Sequence, residues 1–372
     1  MNIGIIFPKD SEALFYKNSK RSYGGANIQL FKIAKQLSEF EGINVKCFIP
    51  DYNLNELNDG LDKLDIVKAY EQKVLFPIKF YQFHKSIVKN KIDFLLQRGL
   101  TLQSCILAFY CYLFKIKYIF MFAHDIESLG RYQKKRNKNF LFPLLLRFSY
   151  KLIVQNEIEY NNIVRKVSKK KIAIIKKGLD LQNNSLSNIK NFNKVYDCIW
   201  IARCDEWKNP EVYIQLAKKF KDKKFIMVLF SSPGKEDYYQ KILTEVKKVD
   251  NITLYDFIPN EKVYDLLAHS KIFCITSDME GDWPMVVLEA AYVGLPVISL
   301  HINYNGLISK YDGGFYCESD IKRLYKYFDL LVNDIKLIEK MSNNARNYIL
   351  ENHNIVENVN KLVVLLQADN KK

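Results

Sequence analysis

The sequence predicts an α/β protein of two Rossmann-like domains, each a parallel sheet covered by helices. Apolar runs of strand length alternate with segments of helical period from residue 2 to residue 300, which is the pattern of parallel sheets with helical crossovers. A polar stretch at 182–188 interrupts this alternation, as a linker does. The 372 residues are also enough for two domains of ordinary size.

The apolar runs locate the strands and the domain boundary. They predict strands at 3–7, 45–49, 94–97, 116–122, 152–155 and 172–175 in the first half, and at 197–202, 224–230, 252–255, 272–276 and 296–300 in the second. We therefore predict a first domain over 1–181, a second over 197–353, and a final segment over 354–372 whose helix can pack back on the first domain. Ligands of parallel sheets collect at the carboxyl ends of strands, so substrates are expected in a cleft between the two domains.

Composition argues against export, a membrane span and a metal site. The seven cysteines form no Cys-x-x-Cys pair and lie mostly in apolar runs, which indicates reduced, buried thiols in the cytoplasm. Residues 1–8 lack the regions of a signal peptide, and the apolar stretches at 104–114 and 140–146 are too short to span a bilayer. The histidines show no metal-ligand spacing.

The net charge of +15 lies wholly in the first half of the chain. Residues 1–180 contain 31 Lys and Arg against 16 Asp and Glu, whereas the remainder holds 25 of each sign. This asymmetry indicates an anionic partner for the first half, with membrane headgroups and nucleic acid as the leading candidates. A basic surface that only confers solubility is the alternative.

Residues 277–299 predict a loop, a short helix and a buried strand. Pro284 suits the first turn of the helix, and Gly294 suits its left-handed end. The carboxylates of Glu280 and Glu289 flank the helix start, where free N–H groups and the helix dipole favour a phosphate. This combination suits a sugar joined to a diphosphate.

The segment resembles the donor-binding signature of GT-B glycosyltransferases, most closely glycosyltransferase family 4 (glycosyl transferases group 1). The family pattern is Glu-Gly-Phe-Pro or similar, followed by a second Glu. Seven residues usually separate the two glutamates, whereas eight lie between Glu280 and Glu289, with Asp282 and Trp283 in the space of one aromatic residue. An ordinary loop–helix–strand unit with two solvated glutamates is the alternative.

A cation pair follows the first strand of the second half. Arg203 comes directly after the predicted strand at 197–202, and Lys208 lies five residues later. Two cations at one strand end can stabilise the charge of a departing diphosphate without a metal. They resemble the Arg and Lys pair of the family, and surface pairing with Asp205 or Glu206 is the alternative.

Two positions of the first half also match the family. Gly24 and Gly25 precede a predicted helix, and glycine lets a ligand approach a helix start, as in the family's first Gly-rich loop. His124 and Asp125 end a predicted strand where the family places a His beside the reacting sugar. An ordinary helix-entry turn and a structural histidine are the alternatives. Smaller resemblances lie at 154–156, 177–180, 257–259 and 345–346, while the usual Gly-Gly is here Asn305-Gly306.

The resemblance implies a retaining, metal-independent glycosyltransferase of GT-B fold that needs no cofactor and moves a sugar from a nucleotide-sugar donor to an acceptor hydroxyl. It implies catalytic roles for His124, Arg203, Lys208 and Glu280, with both cations on the diphosphate. The implied donor-binding residues are Gly24, Gly25, Arg203, Lys208, Phe257, Ile258, Glu280, Gly281, Asp282, Trp283, Pro284, Met285, Val286 and Glu289.

The expected acceptor is a glycan or lipid-linked glycan of cell-surface polysaccharide, lipopolysaccharide or capsule. Basic residues at 131–138 adjoin the apolar segment 140–146, an arrangement that could seat the first half on the inner face of an anionic membrane. A buried helix beside a solvated loop is the alternative. Two other functions stay open: a non-catalytic polyanion- or nucleic-acid-binding protein, although no nucleic-acid motif is present, and a nucleotide-sugar epimerase or inverting transferase.

Overall fold

The computed structural model describes residues 1–17, 19, 25–132, 135–181, 193–232, 234–256, 258 and 260–368, with the backbone alone at 132, 135–138 and 260–261. The chain divides into two compact units. The first consists of Met1–Gly178 together with Ile355–Lys372, and the second consists of Leu179–Asn354. The seven cysteines are buried thiols, as their apolar surroundings indicate. Within the described ranges, no helix has the length and apolar character needed to cross a bilayer.

The first unit is built on a seven-stranded parallel sheet. Its strands are β1 (Asn2–Ile6), β2 (Asn44–Asp51), β3 (Asp65–Glu71), β4 (Phe94–Arg98), β5 (Lys117–Met121), β8 (Lys151–Val154) and β9 (Ile172–Ile174), while β6 (Arg131–Tyr132) and β7 (Lys135–Lys138) form a separate antiparallel pair. The sheet order is β3-β2-β1-β4-β5-β8-β9. The direction of winding reverses between β1 and β4, which is where ligands bind in open parallel sheets.

Helices cover both faces of this sheet. They are α1 (Glu12–Phe15), α2 (Gly25–Leu37), α3 (Phe76–Lys89), α4 (Leu102–Leu113), α5 (Asp125–Ser128), α6 (Phe142–Phe148), α7 (Glu157–Val164) and α14 (Ile355–Gln367), with a 3-10 turn at Lys169–Lys171. One core cluster contains β1, α2 and α14, and another contains β5, α4 and α6. The sheet is therefore buried on both faces, as in other doubly wound folds.

The six strands predicted for the first half are present, but β3 was missed. Ala69 is its one buried residue, whereas Asp65, Lys68 and Glu71 are exposed. A strand at the edge of a sheet carries such charges because only part of it packs on the core. The apolar run that identifies the other strands is therefore broken here.

The helix α14 returns the end of the chain to the first unit. Ile355, Val359 and Leu362 lie in the same core cluster as Ile33 of α2, and Asn358 Nδ2 donates to the carbonyl oxygens of residues 176 and 177 at 3.2 and 3.3 Å. The helix thus packs beside residues 176–178, the end of the first of the two chain segments that make up this unit.

The second unit contains a six-stranded parallel sheet in the order β12-β11-β10-β13-β14-β15. These strands are β10 (Tyr196–Arg203), β11 (Phe225–Phe230), β12 (Ile252–Tyr255), β13 (Ser270–Ile275), β14 (Val297–Ser299) and β15 (Gly314–Tyr316). The helices are α8 (Pro210–Lys219), α9 (Glu236–Val246), α10 (Asn260–Ala268), α11 (Met285–Tyr292), α12 (Ile321–Asn333) and α13 (Ile335–Asn352), with a 3-10 turn at Glu206–Lys208. The edge strand β15 was missed because Gly313 and Gly314 precede Phe315, and Glu318 follows soon after, so the apolar run is interrupted.

We expect Gly178→Ala to lower the free energy of unfolding of the first unit by about 3 kcal/mol, through overpacking. A Cβ at this position would lie 2.5 Å from Ile355 Cα, and backbone cannot move aside cheaply. The matched control is Gly42→Ala, where φ is +75° but no atom lies within 4 Å, with an expected cost of about 1 kcal/mol. Urea denaturation checks both, and equal losses would contradict the close contact.

Candidate active site

The second unit brings three loops together at the carboxyl edge of its sheet. Strands β10, β13 and β14 are parallel neighbours, so the segments that follow them, 203–209, 276–284 and 300–306, meet at one edge. This is the edge at which ligands of open parallel sheets bind. Half of the fourteen residues that the sequence assigns to donor binding lie in these loops, and Met285, Val286 and Glu289 lie in the helix that follows the second loop.

Hydrogen bonds tie the first two loops to each other. Thr276 Oγ1 donates to the carbonyl oxygen of Lys208 at 2.6 Å. Asn209 Nδ2 donates to the Thr276 carbonyl oxygen at 3.0 Å and to Asp278 Oδ1 at 2.6 Å. Asn209 has a left-handed backbone with φ of +49°, which Asn adopts more readily than most residues. These contacts fix the backbone on which Lys208 is carried.

Lys208 and Glu280 form a buried ion pair. Lys208 Nζ donates to Glu280 Oε1, and the side chains are only 11% and 10% exposed. The amine also lies 4.0 Å from the centre of the Trp207 ring, within cation–π range. Burial lowers the pKa of Lys208, the Glu280 carboxylate counteracts this effect, and the positive charge of Arg203 adds to it. Two cations and one carboxylate therefore act on one another here.

Arg203 is the last residue of β10, and its side chain is more exposed to solvent than that of Lys208. Its side chain is 55% exposed, and its Nε lies 3.6 Å from Asp205 Oδ2. Glu206, the other acid of this loop, pairs with Lys235 at 2.6 Å. The guanidinium of Arg203 is thus accessible to an anion, beside a lysine that is already neutralised by Glu280.

The third loop supports the segment that contains Glu280. Tyr304 Oη accepts the Glu280 N–H at 3.3 Å and donates to the Glu280 carbonyl oxygen at 2.5 Å. Trp283 is fully buried and donates from Nε1 to the Tyr304 carbonyl oxygen at 2.7 Å. Asp282, also buried, accepts from Asn305 Nδ2 at 2.7 Å. The Asp282-Trp283 insertion is therefore anchored inward, and the indole belongs to the core of the unit.

The helix α11 follows this loop and carries Glu289. Pro284 is the capping residue just outside the helix, which begins at Met285, whereas the sequence placed Pro284 in the first turn. Its extended backbone, with ψ of 149°, explains the difference. Gly294 ends the segment with φ of +84°, as predicted.

Glu289 lies in the second turn of α11 and meets Tyr264 of α10. Burial raises the pKa of Tyr264, and the charge of the Glu289 carboxylate and a hydrogen bond to it raise the pKa further. Tyr264 and the Glu289 carboxylate therefore lie side by side, close enough to interact.

In the first unit, His124 lies where β5 ends, at the cap position of α5, and it is buried. The backbone around it is held by Glu127, whose carboxylate accepts the Ala123 N–H at 2.8 Å. Burial raises the pKa of Glu127, and the hydrogen bonds that it accepts together with the charge of Arg98 oppose this. Asp125 Oδ1 accepts from Asn156 Nδ2 at 2.8 Å, which joins the loop after β5 to the start of α7.

The remaining proposed donor-binding residues differ in accessibility. Gly25 is exposed at the first position of α2, and Val286 is half-buried, whereas Gly281, Met285 and Ile258 are buried. Gly24 and Phe257 lie outside the described residues. In the described part of the whole chain, no group of three or more His, Cys, Asp and Glu side chains forms a metal-binding arrangement.

Sequence reasoning missed the residues that support the site. Tyr304, Asn209 and Tyr264 act through hydrogen bonds to residues far away in the chain, which no local pattern reveals. Asn305-Gly306 did carry a signal. Both residues have positive φ, +51° and +85°, so Asn305 adopts a conformation for which Gly is the usual choice, and its side chain binds Asp282 as well.

Comparison with known proteins agrees with this geometry. The family model described as "Glycosyl transferases group 1" matches residues 183–348. An uncharacterized glycosyltransferase of Haemophilus influenzae is 25% identical over 225 residues, which are 59% of each chain. The UDP-Gal:alpha-D-GlcNAc-diphosphoundecaprenol alpha-1,3-galactosyltransferase of Escherichia coli is 27% identical over 213 residues, 52% of this chain and 53% of that protein. The matches thus span between half and six-tenths of these relatives.

Solved structures align along nearly the whole chain. Sucrose-phosphate synthase from Thermosynechococcus elongatus has a TM-score of 0.76 at 15% identity, covering 99% of this chain and 98% of that one. Anabaena HepE in complex with UDP-glucose has a TM-score of 0.74 at 16% identity, covering 99% and 100%. The resemblance predicted from the sequence is confirmed for the fold and for the match to the family model: the chain has the GT-B fold, and the group 1 model matches residues 183–348, most of which lie in the second unit.

Proposed function

We propose that the protein is a retaining, metal-independent glycosyltransferase that moves a sugar from a nucleotide-sugar donor to an acceptor hydroxyl. One observation carries the proposal. A buried Lys208–Glu280 pair lies beside the exposed guanidinium of Arg203, at the sheet edge from which α11 begins with Glu289 in its second turn. Cations for a diphosphate and carboxylates for hydroxyl groups are thus carried by adjoining elements.

Each side chain has a role that its chemistry suits. Arg203 and Lys208 bind the diphosphate and stabilise the charge that develops on it as the glycosidic bond breaks, a task that a divalent cation can perform elsewhere. Glu289 accepts hydrogen bonds from ribose hydroxyls. The backbone near Gly281 and Asp282, together with Glu280, holds the sugar. The residues around the α11 start, Pro284, Met285 and Val286, complete the donor site with its positive helix terminus.

When the donor binds, Lys208 and Glu280 exchange their contact with each other for contacts with the donor. A diphosphate at this edge offers Lys208 a second anionic partner, and charge-assisted bonds to phosphate are among the strong ones. As Lys208 turns to the diphosphate, the Glu280 carboxylate becomes available to sugar hydroxyls. The donor therefore replaces one internal interaction with two intermolecular ones.

The chemical step needs positioning more than a protein base. In a front-face displacement the acceptor hydroxyl attacks the anomeric carbon on the side from which the diphosphate leaves. The departing phosphate oxygen takes the hydroxyl proton, the carbon–oxygen bond to the diphosphate breaks, and the configuration is retained. His124 is assigned a hydrogen bond to the transferred sugar, with its backbone held by Glu127, so the contribution of the protein is orientation and electrostatic stabilisation.

The proposed acceptor is a glycan or a lipid-linked glycan in cell-surface polysaccharide, lipopolysaccharide or capsule synthesis. The printed name of the Escherichia coli relative describes transfer to a diphosphoundecaprenol-linked sugar, which supports this class. Because such a lipid lies in a membrane, we also propose that the protein works in the cytoplasm, peripherally at the inner face of the cell membrane. The first half of the chain carries the whole charge excess, which suits that surface.

The decisive experiment screens nucleotide sugars by thermal shift and then follows each hit with a labelled sugar. A donor that binds the folded state raises the melting temperature, and transfer to an acceptor with retained anomeric configuration confirms the reaction. An epimerised nucleotide sugar would instead identify an epimerase, and an inverted product an inverting transferase. Salt-sensitive nucleic-acid binding without any turnover would identify a polyanion-binding protein.

Arg203→Ala and Glu289→Ala should each reduce kcat/KM for transfer about a hundredfold or more, because each removes a contact to the reacting donor. Both side chains are partly exposed, so the fold should persist by circular dichroism. The matched control is Lys248→Ala, an exposed lysine of the same unit paired with Glu245, which should retain full turnover. Wild-type turnover in Arg203→Ala or Glu289→Ala would refute the assigned site.

Tyr264→Phe should raise KM for the donor about tenfold, since the lost hydrogen bond served a charged group, while kcat changes little. The phenol orients Glu289, which is assigned to the ribose and lies away from the bond that breaks. Steady-state kinetics with varied donor separate the two constants. A lower kcat with an unchanged KM would contradict this role.

Glu280→Gln should lower the free energy of unfolding of the second unit by about 3 kcal/mol, because it leaves a buried lysine without its counter-charge. Adding Lys208→Met should recover part of the loss, and the double-mutant cycle measures the coupling. The matched control is Glu206→Gln, which breaks the exposed pair with Lys235 and should cost less than about 1 kcal/mol. Additive effects at 208 and 280 would show that the buried pair is not coupled.

A further inference from the structure

The helix α3 leaves an unusual amount of apolar surface exposed. It buries only Phe83 and Ile87, although its sequence is rich in large apolar residues. Exposed large apolar side chains of this helix and the residue before it are Leu75 (74%), Phe76 (61%), Ile78 (46%), Phe80 (37%), Tyr81 (64%) and Val88 (59%). Single exposed apolar residues need no explanation, but a contiguous group usually marks an interaction site.

Apolar side chains at the end of α4 are also exposed, and the rings of Phe109 and Tyr112 lie 5.1 and 4.8 Å from that of Phe148 in α6. Phe109, Tyr112, Leu113 and Phe114 are each between 42% and 60% exposed. His84 of α3 connects the two helices, because its Nδ1 lies 2.6 Å from Tyr110 Oη and its ring centre lies 5.0 Å from that of Phe114. We name these exposed residues of α3 and α4 the α3–α4 surface.

Lysines surround the α3–α4 surface with little opposing charge. Residues 72–117 contain seven lysines and Arg98 but a single acidic residue, Asp93. Lys73, Lys85, Lys89 and Lys115 are exposed. None of these four forms an ion pair with any carboxylate in the described part of the chain. The surface is therefore both apolar and cationic.

This chemistry fits an anionic bilayer better than other partners. Aromatic and aliphatic side chains insert at the level of the headgroups while lysines reach the anionic lipids. A nucleic acid would use the aromatic rings and the lysines, but Leu75, Ile78 and Leu113 offer it no stacking surface. A second copy of the chain would bring like charges together, which disfavours association.

We propose that the α3–α4 surface docks the first unit on anionic lipid membrane. The segment 131–146, which the sequence suggested for this role, contributes less apolar surface. In it Phe142, Leu145 and Leu146 are buried, and Phe140 is 80% exposed, while Lys134, Lys135 and Arg136 lie outside the described side chains. We therefore place the docking surface on α3 and α4, and not on the segment 131–146.

The position of α3 relates this surface to the acceptor. The helix begins a few residues after β3 ends, so its exposed first turn lies near the carboxyl edge of the sheet, the edge at which β5 ends and His124 follows. A lipid-linked acceptor in the docked membrane would reach that edge from the side of Leu75 and Phe76. This use of the surface rests on the proposed function, whereas membrane docking itself does not.

The test is flotation of the full chain with phosphatidylcholine vesicles that contain or lack phosphatidylglycerol, without any nucleotide sugar. We expect binding that needs the anionic lipid and weakens with salt. Lys85→Glu with Lys89→Glu should reduce the partition coefficient roughly thirtyfold or more. Phe76→Ser with Tyr81→Ser should reduce it at every salt concentration.

Matched controls use equally exposed residues of the second unit. Lys326→Glu with Lys336→Glu, and Ile335→Ser at a site 72% exposed, should leave vesicle binding unchanged. Charge reversal at Lys134, Lys135 and Arg136 should have a smaller effect than at Lys85 and Lys89. The proposal is overturned if the α3 variants bind vesicles as strongly as the wild type does, or if the wild type does not bind anionic vesicles. It is also overturned if the α3 variants abolish a dimer or an RNA complex and leave vesicle binding unchanged.

Transfer to a soluble acceptor, measured separately, distinguishes the two proposals. A chain that transfers sugar but ignores vesicles keeps the proposed function and loses the docking surface. A chain that binds vesicles through α3 without sugar transfer keeps the surface and loses the function.

Discussion

The proposed donor site depends on a pair of opposite charges held out of water. Lys208 and Glu280 are each about nine-tenths buried, and neither charge could stay there alone, because an unpaired buried charge costs several kcal/mol. Their pairing keeps a cation and a carboxylate inside the carboxyl edge of the sheet. In the proposed function, the same pairing makes the site responsive, because a bound diphosphate would offer Lys208 a second anionic partner.

Such a pair persists only where the backbone is fixed on both sides. Thr276 and Asn209 hold the loop of Lys208, and Tyr304 bonds to both the N–H and the carbonyl group of Glu280. These supports are side-chain contacts between the loops that follow neighbouring strands of one parallel sheet. The cost of ordering the site is therefore met during folding, so that a substrate meets prepositioned charges.

The sequence could predict what depends on local pattern. Apolar runs identified eleven of the thirteen strands that the structure describes in the two parallel sheets, and the Gly294 helix end and the order of the motifs followed from residue type. The edge strands β3 and β15 were missed because charged residues (Asp65, Lys68 and Glu71) and glycines (Gly313 and Gly314) interrupt their apolar runs. The partnership of Lys208 with Glu280 joins residues 72 positions apart, and only the folded sheet brings them together. Similarly, the sequence of α3 contains many large apolar residues, but only the folded structure shows that most of them are exposed.

The lysines around α3 and α4 and the Lys208–Glu280 pair differ in burial, so salt is expected to affect them differently. The lysines around α3 and α4 are exposed, and their attraction to an anionic surface falls within a Debye length of about 10 Å at 0.1 M salt. Lys208 is buried against Glu280, and a buried pair is screened much less. If both proposals hold, ionic strength weakens the proposed membrane docking at salt concentrations that leave the proposed diphosphate site unaffected. The charge excess of the first half and the neutral second half suit this division, in which one part of the chain would bind a surface and the other would bind the donor.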